Sequence, residues 1–210
     1  MGLLNPRTAT LANDNGAFRI SGLPAGKYVV GIVFPTLSIG YGGLLGGPKL
    51  VSVSDNESGA LSVYSGNVFR GKDAKPVELV AGDERTGADI NIPLLGLHTV
   101  SGSVIALSDN HAINQARIDL LYADDKTILR EITVDEDGRF SFSYVPEGEY
   151  ILRITDAADT VKETRHDGQM SYEVDKPVHS YGSVDQPLIL HDDISSLVIN
   201  VPEKSPPKKQ

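Results

Sequence analysis

The chain has no cysteine and no tryptophan in 210 residues, and aromatic side chains make up only 6% of it. Without cysteine there is neither a disulfide framework nor a thiolate metal site. Without tryptophan, any stacking on a sugar face falls to tyrosine or phenylalanine. No apolar run reaches the ~20 residues that a membrane-spanning helix needs, so no membrane span is expected. No secretory leader precedes Asn5, although the N-terminus argues neither way about export. A surplus of basic charge is missing as well. The formal net charge is −9, and residues 97–210 hold 11 basic against 20 acidic side chains, where residues 1–96 hold 8 of each. Phosphate backbones are bound by Lys and Arg, so no nucleic-acid partner is expected.

The motifs of several enzyme classes are absent too. The five histidines, His98, His111, His166, His179 and His191, form no His-Glu-x-x-His and no close His/Glu pair of the kind a zinc peptidase uses. There is no Gly-x-Ser-x-Gly elbow and no phosphate-cradling loop ending in Gly-Lys-Ser/Thr. The chain therefore reads as a non-enzyme without a cofactor. Three acidic stretches, Asp124-Asp125, Asp135-Glu136-Asp137 and His191-Asp192-Asp193, offer hard oxygen donors. They lack the ordered alternation of a calcium loop, and turn chemistry accounts for them without a metal. No metal site is expected.

A repeat is what the sequence does contain. Gly16, Phe18, Pro24, Gly26 and Tyr28 recur as Gly138, Phe140, Pro146, Gly148 and Tyr150, each pair 122 residues apart with no gap. A repeat of that length means two copies of one fold. Asp14-Asn15-Gly16 and Glu136-Asp137-Gly138 are hairpin-turn sequences. After them Phe18 and Ile20 alternate with Arg19 and Ser21, as Phe140 and Phe142 alternate with Arg139 and Ser141, the period of a half-buried strand. Leu23-Pro24-Ala25-Gly26 and Val145-Pro146-Glu147-Gly148 plug and turn the chain, and Tyr28 and Tyr150 open a further strand as structural residues. Each copy closes with a shared ending, Ile90-Asn91-Ile92-Pro93 and Ile199-Asn200-Val201-Pro202.

The copies differ in two places. The first carries extra residues around Phe34–Lys49, whose glycine density (Gly40, Gly42, Gly43, Gly46, Gly47) predicts a loop. The second has two further strand candidates ahead of its hairpin, Val100–Ile105 and Ala116–Tyr122, whose counterparts at the same offset fall before or close to residue 1. The first copy thus lacks its opening strands. Either the chain is a fragment of a longer one, which is the preferred reading, or another segment supplies them. The expected organisation is residues 1–96 as an N-terminally incomplete β-sandwich, 97–202 as a second β-sandwich, and 203–210 as a disordered tail.

On these residues the chain resembles the carboxypeptidase regulatory-like domain family, a transthyretin-like (prealbumin-like) β-sandwich grouped with a carbohydrate-binding-like fold. The family pattern of an Asp/Asn turn, Gly, an aromatic, Ile or Val and then Leu-Pro-x-Gly-x-Tyr stands in Asp14–Val30, and in Asp137–Leu152 with Val145 in place of Leu. The resemblance implies an all-β fold of two tandem sandwiches and a secreted, periplasmic or outer-envelope location in bacteria. It also implies neighbouring domains of a longer chain, with proteins or cell-surface glycans as partners. The function expected is that of a non-catalytic spacer or interaction module. Two alternatives stand beside it: a carbohydrate-binding accessory module, and accessory domains of a peptidase whose catalytic domain lies elsewhere. For glycan binding the candidate side chains are Tyr41 in the glycine-rich stretch, with Tyr64 and Phe69 after it.

Overall fold

The computed structural model describes residues 9–34, 38–41, 48–51, 61–168 and 170–204. The strands are β1 (Gly26–Tyr28), β2 (Gly31–Phe34), β3 (Ser38–Tyr41), β4 (Pro48–Val51), β5 (Leu61–Tyr64) and β6 (Val77–Leu79). They continue with β7 (Leu97–Ala106), β8 (Gln115–Tyr122), β9 (Ile128–Thr133), β10 (Arg139–Pro146), β11 (Gly148–Asp167), β12 (Met170–Ser180), β13 (Val184–Leu190) and β14 (Ile194–Val201). A single 3-10 turn, Gly71–Asp73, is the only helical piece among the described residues. The fold is all-β. The chain divides into two compact units, one of Met1–Ile32 with Val63–Asn91 and the other of Val33–Ser62 with Ile92–Gln210.

The second unit holds a β-sandwich. One sheet has β7 at its centre, antiparallel to β10 and parallel to β14. The other runs β9–β8–β11, with β13 along the first half of β11 and β12 along its second half. Alternation along each strand sends one set of side chains between the sheets. On β10, Phe140 and Phe142 are buried while Arg139 and Ser141 are exposed. Val100, Val104, Ile118, Leu120, Leu152, Ile154, Ile199 and Val201 meet them in one continuous core. Full burial of each such side chain contributes about 1.5–3 kcal/mol, so this core is what holds the two sheets together.

Among five register shifts in the described ladders, three bulges share one backbone feature. They lie between Phe142 and Val145, between Thr155 and Ala158, and between Ile194 and Leu197. Each contains a non-glycine residue at positive φ, Tyr144, Asp156 and Ser196 respectively. Beyond the bulge at Asp156, β11 pairs with β8 once more, at Ala158, and then continues with β12 alone as a two-stranded ribbon, exposed over most of its length.

The repeated turn is visible in both units. Asn13 Oδ1 accepts the amides of Asn15 (3.0 Å) and Ala17 (2.8 Å); Asp135 Oδ1 accepts those of Asp137 (3.0 Å) and Arg139 (2.8 Å). Tyr28 Oη donates to the Pro24 carbonyl at 2.6 Å, and Tyr150 Oη to the Pro146 carbonyl at 2.8 Å. The motif tyrosines are therefore structural, as their place in the repeat predicts.

The first unit departs from expectation in its ladders. Phe18 and Ile20 are half-buried between exposed neighbours, but 17–25 forms no strand, and neither does Ile90–Pro93. In the second unit the equivalent segments, β10 and β14, both pair with β7. A segment that alternates but has no such partner keeps its exposure pattern without a ladder. Two ladders involve residues of the first unit, β1 with β6 and β2 with β5, and β3 pairs with β4 inside the 33–62 segment that groups with the second unit. The last corrects the loop predicted around Phe34–Lys49. Gly40 pairs with Lys49 and Tyr41 with Pro48, while the glycine-rich stretch 42–47 lies outside the described residues. Glu203, assigned to the tail by its sequence, forms a bridge with Tyr181; residues 205–210 are outside the described set.

Candidate functional site

Of the three sequence-predicted aromatics, Tyr64 is half-buried at the end of β5. A methyl group placed on Gly31 would meet its ring at 2.7 Å, and one on Gly71 at 3.6 Å. The ring thus packs against both glycines, and at Gly31 the packing needs the missing side chain. Phe69 is also half-buried. Tyr41 closes β3, and its side chain lies outside the described residues.

The best-formed polar cluster was not foreseen from the sequence. It gathers at the root of the ribbon in the second unit. His111 Nδ1 lies 2.5 Å from Asp109 Oδ1, and its Nε2 lies 3.1 Å from Asp159 Oδ2. The buried Tyr181 hydroxyl donates to that same Asp159 oxygen at 2.6 Å and is 3.1 Å from Nε2. The rings of His179 and Tyr181 meet edge-on at 4.7 Å, and His179 Nε2 is hydrogen-bonded to Glu203. Hydrogen bonds to Asp109 and then Asp159 raise the His111 pKa, and the bond from His111 lowers that of Asp109. Burial first, then Asp159, pushes the Tyr181 hydroxyl upward. An imidazole between two carboxylates is held as a donor on both nitrogens. It clasps the β7–β8 loop onto β11. Asn114 adds to the clasp: its side-chain amide donates to the Thr160 carbonyl and accepts the Thr160 amide, extending the ladder where β8 stops. Nothing in the local sequence signals this, because Asp159 and Tyr181 are 48 and 70 residues from His111.

A second feature lies on the outer face of the β10–β7–β14 sheet. Ser101 and Ser103 of β7, Ser141 of β10 and Ser196 of β14 line an open depression of about 660 Å³ with Gly102, Ile132, Asp135, Arg139 and Val198. Gly102 is required there, since a Cβ would come within 2.0 Å of the Leu197 carbonyl oxygen. Beneath the β10 bulge, the buried Arg130 donates to the Ser143 and Tyr144 carbonyls. Burial lowers its pKa. Among the described residues no group of three or more His, Cys, Asp or Glu side chains is arranged to hold a metal ion, and no helix is long and apolar enough to cross a membrane.

No family model matches the chain, and neither does any curated protein. Among solved structures the chain is similar to the major pilin subunit of Bacillus cereus, at 16% identity over 87% of this chain and 41% of the pilin, with a TM-score of 0.34. A Pseudomonas aeruginosa protein provisionally described as carbohydrate binding matches at 14% identity over 52% of this chain and 90% of that one, with a TM-score of 0.29. The 5-hydroxyisourate hydrolase of Klebsiella pneumoniae matches at 14% identity over 50% of this chain and 86% of the hydrolase, with a TM-score of 0.28. Each likeness is distant, and the chain spans less than half of the pilin's length.

Proposed function

We propose that this chain is a non-catalytic structural and interaction module of a bacterial secreted or cell-envelope protein, built on the carboxypeptidase regulatory-like pattern. The observation that carries the reading is the closure of its best titratable cluster. Both nitrogens of His111 face carboxylates, and the Tyr181 hydroxyl is bonded to Asp159. A general base needs a free nitrogen within reach of a substrate proton; this imidazole is instead a fastener for the ribbon root. The repeated turn and tyrosine bond support the family pattern. A carbohydrate-binding role is the second reading, and the hydroxyl-lined depression on the three-stranded sheet favours it.

The test is co-sedimentation of the chain with insoluble polysaccharides and peptidoglycan, run beside Tyr41→Ala and His111→Gln, with soluble sugar ends and peptides assayed in the supernatant. A folded protein that releases no products, whether or not it is retained, supports a non-catalytic module. Retention lost in Tyr41→Ala would place glycan binding at the candidate from the sequence. Product release that disappears in His111→Gln would overturn the non-catalytic reading.

A further inference from the structure

We propose that the outer face of the β10–β7–β14 sheet is a binding site for a neutral polyhydroxylated chain, a segment of glycan. The proposal rests on the reading of the chain as an interaction module and assigns that module a surface. Three independent features of the sheet lead to it.

The first is the floor. Solvated sheet faces are usually covered by long or branched side chains. Here Ser101, Ser103, Ser141 and Ser196, on three adjacent strands, leave an open depression of about 660 Å³. Ligand sites commonly occupy about 300–1,000 Å³. The space exists because each of these side chains reaches only one heavy atom past Cβ. Gly102, pinned against the Leu197 carbonyl, keeps β7 and β14 close beneath it.

The second is paired strain. In the ladder with β10, Ser143 and Tyr144 together oppose Thr99; in the ladder with β14, Ser195 and Ser196 together oppose Ser101. Both strands flanking β7 therefore bulge at neighbouring outward positions, and each bulge holds a non-glycine residue at positive φ, 58° for Tyr144 and 60° for Ser196. Such residues persist only where the surrounding structure holds them in place. Bulges of this kind re-aim side chains and gather beside sites. Tyr144 is 65% exposed on its bulge, and the register sets it alongside Thr99, one outward position from the serine floor.

The third is the chemistry of the lining. Serine hydroxyls donate and accept and carry no charge. Arg139 and Asp135 add a charged donor and acceptor at one end, and Val198 and Ile132 add apolar surface. A sugar presents that same mixture of hydroxyls and C–H faces. An anionic ligand would find one cation in the lining, Arg139, which already lies 3.5 Å from Asp137. A cationic ligand would find one carboxylate, Asp135, whose Oδ1 already accepts two turn amides.

The test follows backbone amide resonances of the whole chain during titration with cellotetraose, with tetra-N-acetylchitotetraose and with an uncharged serine–threonine hexapeptide. The expected result is saturable shifts from at least one sugar, confined to residues 101–103, 139–141 and 196–198. Ser103→Arg fills the depression and should weaken that sugar at least tenfold, while amides in β8 and β11 keep their positions and so report an intact fold. Ser141→Lys serves if Ser103→Arg does not fold, and Tyr144→Ala should weaken binding severalfold. Three outcomes overturn the proposal: no groove shift with either sugar, groove shifts with the peptide alone, or sugar shifts indifferent to both filling variants. If the co-sedimentation retains the chain without groove shifts, the glycan site lies elsewhere and the module reading survives. If products are released while the groove responds, the site stands and the non-catalytic reading falls.

Discussion

Gly16 and Gly138 occupy the same place in two copies of one turn, yet their surroundings set different costs on the same substitution. Both have positive φ, 76° and 72°. A Cβ on Gly16 would meet nothing within 4 Å, whereas one on Gly138 would come within 2.9 Å of the backbone oxygens of Ile113 and Val104. Gly16→Ala should therefore cost only the left-handed backbone penalty, about 1–2 kcal/mol. Gly138→Ala adds a collision with atoms that cannot swing away, and should cost about 3 kcal/mol or more. Paired melting curves check this, and equal losses would contradict it. His111 makes a pH prediction. Its pKa is raised in the fold, so its contribution is present below the unfolded value of ~6.5 and is lost as pH rises through the raised value. The Asp109 pKa is lowered, so its contribution is present above ~3.9 and fades as pH falls through the lowered value. The melting difference between the protein and His111→Gln should thus be widest at mildly acidic pH and narrow on the alkaline side. A difference constant into the alkaline range would reject the clasp. The two kinds of residue were not equally legible. The roles of Tyr28 and Tyr150 follow from a local motif that repeats, whereas the His111 partners are brought in by strands far along the chain.

At the scale of the element, the strands of the second unit were legible because alternation and turn residues mark them. Val100–Ile105 and Ala116–Tyr122 both fall within observed strands, β7 and β8. The bulges were not legible, since they depend on what the neighbouring strand does. Arg130 shows the dependence: its guanidinium reaches the two carbonyls, Ser143 and Tyr144, that the β10 bulge turns away from the ladder. Arg130→Ala removes both bonds and should destabilise by about 3–6 kcal/mol, because hydrogen bonds to a charged donor are worth ~1.5–3 kcal/mol each. Tyr144→Gly should do the opposite. It relieves a left-handed bulky residue at little loss of packing and should raise the melting temperature; a lowered one would mean that the Tyr144 ring makes contacts worth more than the strain. The β11–β12 ribbon beyond Thr160 is held by its own ladder and by exposed ion pairs, Lys162–Asp175 at 2.9 Å and Lys176–Glu163 at 2.7 Å. Exposed pairs contribute little, and isolated two-stranded ribbons are marginal in water. Amide exchange should be far faster at 162–175 than at 150–154, where β11 is paired on both sides. Equal protection would show that something covers the ribbon in solution.

For the whole molecule, the repeat announces two copies of one pattern, while burial separates them. The second unit encloses a core spanning both of its sheets, from Val100 to Val201. Among the described residues of the first unit, only Val63 and Ser65 are buried. The sequence could state the pattern of each copy but not how much of it finds a partner. In the first, the segments equivalent to β10 and β14 carry the right alternation and stay out of any ladder. Stability follows burial rather than pattern, because conformational entropy opposes folding equally in both units. Calorimetry should therefore resolve two transitions. Leu152 is fully buried between the sheets, and Leu152→Ala should cost about 2–5 kcal/mol, moving the upper transition alone. Val63→Ala should move the lower one alone, by a smaller amount, since a valine loses fewer buried atoms than a leucine. A single transition displaced by both substitutions would mean that the two units share one cooperative core, and the repeat would then have been built into one domain rather than two.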